Sequence, residues 1–404
     1  MGIIAKGVSK QTSYKKETTW GTAAGTSGGK QIRRVTSSFN LKKSVYESAE
    51  IRTDYQVNDM RHGIRSVEGS LNGELSPGTY ADFMGSVLAK DFASVSSITG
   101  LSLTITASGD NWAVARGTGS FVSDGVKVGQ VVRLAAAGLA AGNVGKNLLV
   151  AAVSALTLTV VVINGSAMTA EGPVASCTMS FPGKYTYAPT TGHADDSYTF
   201  EEWYADIEES EVYTGNKAIS MAVSLPATGL VTTDFGFMGK DLSVTNTTQY
   251  FSTPTAVGTT GAFAAVNGVL LVAGAPVALV TSADFTVDRA NENAEVVGSN
   301  SISDISTGRI RVTGNFSTYF VDQTFRDYFD DETEVSMVLV MTTSEANAAD
   351  FVSFTLPRIK VGSADKNDGE GLITQSHSFT ALLNSTVSAG LPNTTLAVHD
   401  SAAA

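Results

Sequence analysis

The stretch from residue 47 to residue 84 occurs twice in this chain, and this repeat constrains the fold more than any other feature of the sequence. Eight further positions of the stretch keep an apolar or aromatic residue in both copies, so the copies are predicted to bury the same faces. A duplicated structural unit is the economical explanation. Nine residues recur 245 positions later without a gap: Glu47, Ala49, Glu50, Asp59, Gly63, Val67, Gly69, Thr79 and Asp82 become Glu292, Ala294, Glu295, Asp304, Gly308, Val312, Gly314, Thr324 and Asp327.

Each copy predicts a strand followed by a helix. Residues 67–75 and 312–320 alternate between apolar or glycine positions and polar positions, which indicates a strand with one side in water. Ser76 and Pro77 predict an N-cap and a first helical turn, and Asp322 is the predicted cap of the second copy. The connections at 47–65 and 292–309 are predicted to be long. The repeated unit is therefore strand, long connection, strand and helix.

Composition narrows the class of protein. The chain has 404 residues, enough for two or three domains, with 39 Gly, 43% hydrophobic residues and only 16% charged residues. This usage favours an all-β protein with broad contact surfaces. The net charge of −12 disfavours stable binding of DNA or RNA through phosphates. A single cysteine, Cys177, rules out an intramolecular disulfide framework and a cysteine zinc site.

Changes of pattern along the chain predict its domains. Residues 1–30 form a polar arm around Trp20, either a disordered leader or an arm that orders against a neighbouring subunit. Short alternating runs between glycine turns predict a small all-β domain inserted at 93–182, on an exposed side. The inserted segment divides the first unit into 31–92 and 183–245. A linker at 246–264, the second unit at 265–387 and a featureless tail at 388–404 complete the prediction.

Residues that could carry catalysis or bind a cofactor do not form a recognisable pattern. His62, His193, His377 and His399 lack metal-ligand spacing and are expected to be solvated or merely tolerated. Residues 365–370 fit an acidic turn better than a calcium loop, and the acidic run at 201–211 fits a solvated strand edge. No phosphate-binding loop or nucleophile elbow is present. We predict no enzyme activity, no cofactor and no metal.

Targeting patterns are also missing from the sequence. The first residues lack the apolar core of a signal peptide, and the longest apolar runs fall far short of a membrane span. The chain is expected to be made in the cytosol and to have no membrane partner.

Several motifs resemble those of the major tail tube proteins of long, non-contractile-tailed bacteriophages. They are Glu-Thr-Thr-Trp-Gly-Thr at 17–22, Val-Tyr-Glu-Ser-Ala-Glu-Ile-Arg at 45–52, Asp-Met-Arg-His-Gly at 59–63, and Val-Glu-Gly-Ser-Leu at 67–71 before Thr79-Tyr80. The segment with Asp-Asn-Trp at 110–112 and Val-Lys-Val-Gly at 126–129 resembles the accessory domain of some members. The resemblance covers most of the chain.

The resemblance implies a fold class and a function. The fold is mainly β, with two tandem tail-tube-type β-sandwich or barrel domains, each flanked by one helix, and the inserted all-β domain. The function is structural: rings stack into the hollow tail tube of the virion, through which DNA passes without stable binding. Rings of this family commonly hold six units, so a chain with two units is predicted to form homotrimeric rings with pseudo-sixfold symmetry. A tape measure protein and tail-end proteins are the implied partners.

Two sets of residues receive roles under this hypothesis. The polar sides of the strands are predicted to line the lumen; the alternative is that they form an outer, solvated face. These residues are Glu68, Ser70, Asn72, Glu74, Thr313, Asn315, Ser317, Thr374, Ser376 and Ser378. The arm and the long connections are predicted to contact the next ring through Trp20, Glu47, Glu50, Arg52, Asp59, Arg61, Glu292, Glu295 and Asp304.

One alternative function stays open from the residues alone. The chain could be another self-assembling β-rich subunit, of the capsid, surface-layer or adhesin type. An adhesin would need an export signal, and a capsid subunit would be expected to have longer helical stretches than this sequence offers.

Overall fold

A computed structural model describes residues 4–277, 279–385 and 390–403. Parts of the predicted arm (1–3), second unit (278, 386 and 387) and tail (388, 389 and 404) lie outside the described residues. The fold is mainly β, as predicted, with 49% of residues in strands and 4% in helices. In the part of the chain that the structure describes, no helix is long and apolar enough to cross a membrane.

The strands follow one another in three groups. The first half of the chain contains β1 Lys10–Lys16, β2 Lys30–Gln31, β3 Thr36–Glu47, β4 Met60–Glu74, helix α1 Ala81–Val87 and, after an intervening segment, β12 Tyr198–Tyr204, β13 Glu209–Leu225, β14 Thr232–Gly239 and β15 Asp241–Asn246. The intervening segment contains β5 Ile98–Ser108, β6 Asn111–Arg116, β7 Val131–Ala135, β8 Leu148–Val153, β9 Thr157–Val162, β10 Glu171–Ser180 and β11 Lys184–Tyr187.

The second half begins with a short 3-10 helix, Ala265–Asn267. It continues with β16 Gly268–Val272, β17 Ala275–Pro276, β18 Val280–Asp288, β19 Glu292–Ala294, β20 Asp304–Ser306, β21 Arg311–Tyr319, helix α2 Thr324–Asp330, β22 Glu334–Thr342, β23 Phe351–Val361, β24 Asp365–Lys366, β25 Thr374–Ala381 and β26 Ala397–Asp400.

Seven strands from both halves form one continuous antiparallel sheet, which we call the joint sheet. Its order is β3, β4, β14, β13, β18, β21 and β25. The halves meet where β13 pairs with β18, from Ser220 opposite Asp288 to Leu225 opposite Ala283. One end of the joint sheet is formed by β3, which pairs with β4. At the other end, β25 also pairs with the end of β23 and with β24.

The two halves have the same order of paired strands. In the first half the pairs run β2, β1, β12, β13, β14, β4, β3. In the second half they run β17, β16, β22, β23, β25, β21, β18. The repeated stretch supplies β4 with α1 and β21 with α2, at the same place in each series.

Strands β5 to β10 close into a separate six-stranded barrel, in the order β10, β5, β6, β9, β8, β7. The apolar core of the barrel includes Val338 and Val340 of β22. The alternate residues Met337, Leu339 and Met341 belong to the other core, which contains the apolar side of the joint sheet. Because neighbouring residues of a strand point to opposite faces, the barrel packs on the face of β22 that points away from the joint sheet.

The helices start later than predicted, and the two are buried to different extents. Ser76 and Pro77 do not open α1, because the Ser76 hydroxyl bonds the Thr79 hydroxyl at 2.7 Å in a turn, and the helix starts at Ala81. The N-cap of α2 is Gln323 rather than the predicted Asp322, although Asp322 Oδ1 accepts the N–H of Thr324, the first helical residue, at 2.9 Å. Six of the seven residues of α1 are buried and none of α2 is. Both helices turn the same face to the core, because Phe325 and Tyr328, the counterparts of Tyr80 and Phe83, are partly buried against it, but α2 is covered much less than α1.

The acidic run at 201–211 is not a solvated edge. Strand β12 lies between β1 and β13, and Glu201 and Glu202 are at most 1% exposed. Glu201 accepts the Ser210 hydroxyl at 2.7 Å and the N–H groups of Tyr250 and Phe251 at 2.6 and 3.0 Å. These donors meet the requirement that a buried carboxylate be hydrogen-bonded. They also hold the segment after β15 against strand β12 of the first half.

Both predicted end segments contain buried strands. Residues 10–16 of the arm form β1, where Thr12, Ser13 and Tyr14 are buried. In the tail, β26 pairs with β11 and β23, and all four of its residues are buried. Burial raises the pKa of Asp400, the last residue of β26, to about 6, while its carboxylate accepts N–H groups of Gly78 and Ala402. The described part of the predicted tail, 390–403, is therefore not featureless.

A buried histidine in β25 makes stability dependent on pH. His377 packs against the rings of Phe316 and Phe325, each with its centroid 4.8 Å away, and burial lowers its pKa to about 4. The folded chain keeps this side chain neutral, whereas the unfolded chain protonates it below pH 6.5. The contribution of neutral His377 to the free energy of unfolding is thus fully present above pH 6.5. It is lost as the pH falls toward 4, with about 2 kcal/mol lost at pH 5.

Replacing His377 with phenylalanine should therefore raise the free energy of unfolding by about 2 kcal/mol more at pH 5 than at pH 8. The matching position of the first half already holds Phe235: Phe235 pairs with Leu71, and His377 pairs with the repeat counterpart Phe316. Urea unfolding at both pH values measures the gain, with His62→Phe on the exposed end of β4 as the control. An equal gain at both pH values would contradict the assignment.

Candidate functional site

One face of the joint sheet is polar along its whole width, and we call it the polar face. A row of paired residues crosses eight strands in register, from β3 at one end to β23 at the other. It consists of Thr36, Asn72, Asp234, Ala222, Thr286, Thr313, Thr380 and Lys360. The next row consists of Glu74, Thr232, Ser224, Asp284, Asn315 and Ser378. The opposite face of the sheet carries the apolar core.

The ten residues predicted to line a lumen all lie on this polar face. Glu68, Ser70, Asn72 and Glu74 come from β4, and their exposure is intermediate or high. Thr313, Asn315 and Ser317 come from β21, and Thr374, Ser376 and Ser378 come from β25. The sequence could not show that both sets share one sheet, because that depends on the pairing of β13 with β18.

The chemistry of the polar face is that of short hydroxyls, amides and carboxylates. The Ser38 and Ser70 hydroxyls bond each other across β3 and β4 at 2.9 Å. Burial raises the pKa of Asp284, and a hydrogen bond from Asn315 opposes that rise. Hydroxyls paired with one another and carboxylates spaced along strands offer water a polar surface and offer phosphates few cations.

The first long connection is short of partners within its own chain. Because β3 and β4 pair as far as Glu47 opposite Met60, the connection covers residues 48–59 rather than 47–65. Its charged residues bond close neighbours in the chain: Arg52 with Asp54 at 2.9 Å, and Asp59 with Arg61 of β4 at 2.8 Å. Its apolar side chains Ile51, Tyr55 and Val57 are exposed, and Met60, the first residue of β4, is half exposed. Asn58 bonds Glu50 at 3.0 Å.

The second long connection lies on the first half of the same chain. Glu292 and Asp304 belong to the small hairpin of β19 and β20, with Glu295 in its loop. The Asp304 carboxylate lies 3.3 Å from Lys217 Nζ, and the N–H of Arg65 donates to the Asn300 carbonyl at 3.0 Å. Ile302 and Ile305 are each 1% exposed. Asp304, predicted to contact the next ring, thus contacts the other half of its own chain.

Trp20 also has partners within its own chain. Its indole N–H donates to the Gly215 carbonyl at 3.0 Å, and Lys240 Nζ lies 4.8 Å from the ring centroid. The nearby Glu17 carboxylate is buried and accepts the Ser197 and Thr199 hydroxyls at 2.7 and 2.9 Å. These contacts hold residues 17–24 against the first half, so this part of the arm is ordered without a neighbouring subunit.

Lys217 and Lys360 are the charged residues that the sequence reasoning missed. Lys217 contacts Asp195 and Asp304, and Lys360 contacts Glu332. Neither lysine lies in the repeated stretch, so identity at a fixed spacing does not reveal them. Following the strand register outward from the repeat would have found both, but the register itself needs the structure.

The fold and the polar face define a structural β-protein of the assembling kind: a wide sheet with a core side and a polar side, and an apolar connection exposed at its end. The family described as phage tail tube protein matches residues 7–381, and the chain belongs to this family. A comparison with curated proteins gives no match. The chain is a structural, non-enzymatic subunit of the virion tail that assembles into the tail tube.

Proposed function

We propose that three copies of the chain close into one ring of the tube, and that each copy supplies two of six similar sectors. The pairing of β13 with β18 carries this proposal, because it joins the two halves edge to edge within a single sheet. If the same junction forms between chains, β24 and the end of β23 meet β3 of the next copy, and the joint sheets become one closed barrel. Lys42 and Lys43 on β3 would then lie near Asp365 on β24.

A duplication of one tube unit underlies this arrangement. It is supported by the gapless repeat and by the matching series of paired strands in the two halves. The first unit contains residues 31–92 and 183–245, and the second contains 265–387. The residues 246–264 link the two units.

The polar face is the wall of the lumen under this proposal. DNA moving through the tube meets carboxylates, which repel phosphates, and small hydroxyls, which offer only neutral hydrogen bonds. Glu68 and Glu74 lie on this face in every chain. Transient passage of DNA follows, with a tape measure protein inside the tube and tail-end proteins at its ends as further partners.

The barrel formed by β5 to β10 is then an accessory domain, inserted at 93–182, on the outside of the tube. Its contact with Val338 and Val340 on the far side of β22 supports that position. One barrel for every two sectors would give the tube three projections per ring.

Electron microscopy of tubes assembled from the purified chain tests the proposal. The expected result is hollow tubes whose rings hold three chains with pseudo-sixfold density inside and threefold density outside. Rings of six chains would contradict the two-sector assignment. Compact monomers, sheets or closed particles would contradict the tube itself.

Replacing Glu68 and Glu74 with lysine should slow DNA release from triggered virions while tubes still form. The substitutions place cations where phosphates pass, and each cation holds phosphates by displacing counterions. The rate of release, measured at two salt concentrations, should be slower at the lower one. The control exchanges Asp110 in the β5–β6 turn and Glu208 in the β12–β13 turn for lysine. Equal release rates for both variants would contradict the lumen assignment.

A further inference from the structure

A charged cluster around the buried side chain of Lys217 lies where the second long connection contacts the first half. Lys217 Nζ is 2.7 Å from Asp195 Oδ2 and 3.3 Å from Asp304 Oδ1, and it donates to the Ile305 carbonyl at 3.0 Å. The Lys217 side chain is 3% exposed. The lysine and Asp195 belong to the first half, whereas Asp304 and Ile305 are supplied by the connection of the second half.

Strand register identifies the counterpart of this lysine in the second half. Glu68 and Thr313 are 245 positions apart and correspond in the repeat. Glu68 pairs with Met238, which pairs with Lys217. Thr313 pairs with Thr380, which pairs with Lys360. Lys360 therefore occupies in the second half the position that Lys217 occupies in the first.

The second half repeats two of the three charged groups of the cluster, namely Lys360 itself and Glu332, the counterpart of Asp195. Lys360 Nζ lies 3.0 Å from Glu332, which precedes Val335 by three residues, as Asp195 precedes Tyr198. The counterpart of Asp304 is Asp59, 245 positions earlier, and Asp59 lies in the exposed connection of the first half. The Lys360 side chain is 38% exposed, where that of Lys217 is 3%.

The apolar residues follow the same pattern. Ile302 and Ile305 are each 1% exposed, because they lie against the first half. Their repeat counterparts, Val57 and Met60, are 67% and 50% exposed. The same side chains are thus covered in one connection and open in the other, and contact with a further copy of the first-half surface would cover them.

The second half has an open surface at the position that corresponds to the one where the second connection lies on the first half. In the first half, Arg65 forms a bridge with Ser301, and its carbonyl accepts the Ile302 N–H. The repeat counterpart of Arg65 is Ile310, which lines a cleft of about 650 Å³ together with Leu382 and Leu383. The counterpart of Ser301 is Gln56 in the exposed connection.

We propose that the connection at 48–59 docks on the second half of the neighbouring chain in the same ring. Asp59 completes the charged cluster of the neighbour's Lys360 and Glu332, and Val57 and Met60 become buried beside it. This proposal rests on the proposed ring, and it makes the connection a contact within a ring rather than between rings. The occupant is a second copy of this chain, because the sequence that fits the surface is the chain's own repeat.

A cysteine pair tests the contact. Gln56→Cys combined with Ile310→Cys should form disulfides between chains in assembled tubes, since residues paired across a bridge lie about 5 Å apart, within disulfide range. Cys177 is buried and gives little background. On a non-reducing gel the expected species are covalent dimers and trimers, with trimers the largest. The control pair, Arg65→Cys with Ser301→Cys, should form its disulfide within one chain and run as a monomer.

The outcomes separate this inference from the proposed function. Monomers alone from the Gln56/Ile310 pair, in tubes that look like those of the unsubstituted chain, overturn the docking and leave the tube function intact. Failure of the unsubstituted chain to form tubes overturns the function. Ladders of linked chains that extend beyond trimers overturn docking confined to a three-chain ring.

Discussion

Replacing Phe83 with alanine should lower the free energy of unfolding by about 3–5 kcal/mol, the usual cost of removing a fully buried phenylalanine. Phe83 in α1 is 0% exposed, and its ring lies 4.7 Å from Tyr14, 5.4 Å from Tyr198 and 5.3 Å from Phe237, measured between centroids. These three rings come from β1, β12 and β14. The cavity left by the substitution would therefore open between the helix and the strands β1, β12 and β14.

The repeat supplies a matched control for this substitution. The counterpart of Phe83 is Tyr328 in α2, which is only partly buried. Tyr328→Ala should cost about 2 kcal/mol, less than Phe83→Ala, since part of the removed surface already faces water. Denaturant unfolding of the two variants compares the helices directly. Equal costs would mean that α1 does not stabilise the first half in the way its burial indicates.

This difference between the helices shows how far sequence periodicity can be used. The alternation at 67–75 and 312–320 depends on neighbouring residues, and it predicted the strands and their polar sides correctly. The burial of a helix depends on what covers it. Arg289, from the strand end after β18, donates to the Ser86 carbonyl of α1 at 3.0 Å, and no local pattern encodes that contact.

The buried acids illustrate the same limit. Glu201 is held by N–H groups of Tyr250 and Phe251, about fifty residues further along the chain. A run of carboxylates is read as solvated unless its donors are known, and these donors are backbone groups that every residue but proline has. Asp400 is similar, since Gly78 supplies its N–H from the other end of the chain.

The residues of the candidate site also differ in whether local pattern or long-range contact determines their role. The ten polar-face residues could be predicted because each sits on an alternating strand. The role of Asp304 could not, because its partner Lys217 lies on β13, and only the joining of the two halves brings them together. Once that junction is known, the repeat identifies Asp59 as the counterpart of Asp304 and therefore as the residue expected to contact Lys360 of a neighbouring chain.

Reversing one charge at the proposed seam should prevent tube assembly. In Lys360→Asp, the residue facing the neighbour's Asp59 becomes acidic, and Asp59→Lys brings two lysines together. In the matching cluster the Lys217 side chain is 3% exposed, and those of Asp195 and Asp304 are 59% and 63% exposed. Like charges brought together across an interface cost several kcal/mol. A ring of three chains repeats that cost at every seam. The variants should remain folded, because Lys360 and Asp59 are both exposed within the single chain.

Combining the two reversals should restore assembly, because the pair is then re-formed with opposite polarity. Sedimentation and negative-stain microscopy of the single and double variants measure the tube fraction. Asp54→Lys is the control on the same connection: its repeat counterpart is Ser299, so no charge is expected opposite it and tubes should form normally. Rescue by the double reversal requires that the two side chains meet between chains, since Asp59 and Lys360 have other ion-pair partners within one chain, Arg61 and Glu332. Tubes from both single reversals, or no rescue by the double, would rule out Asp59 as the missing member of the cluster.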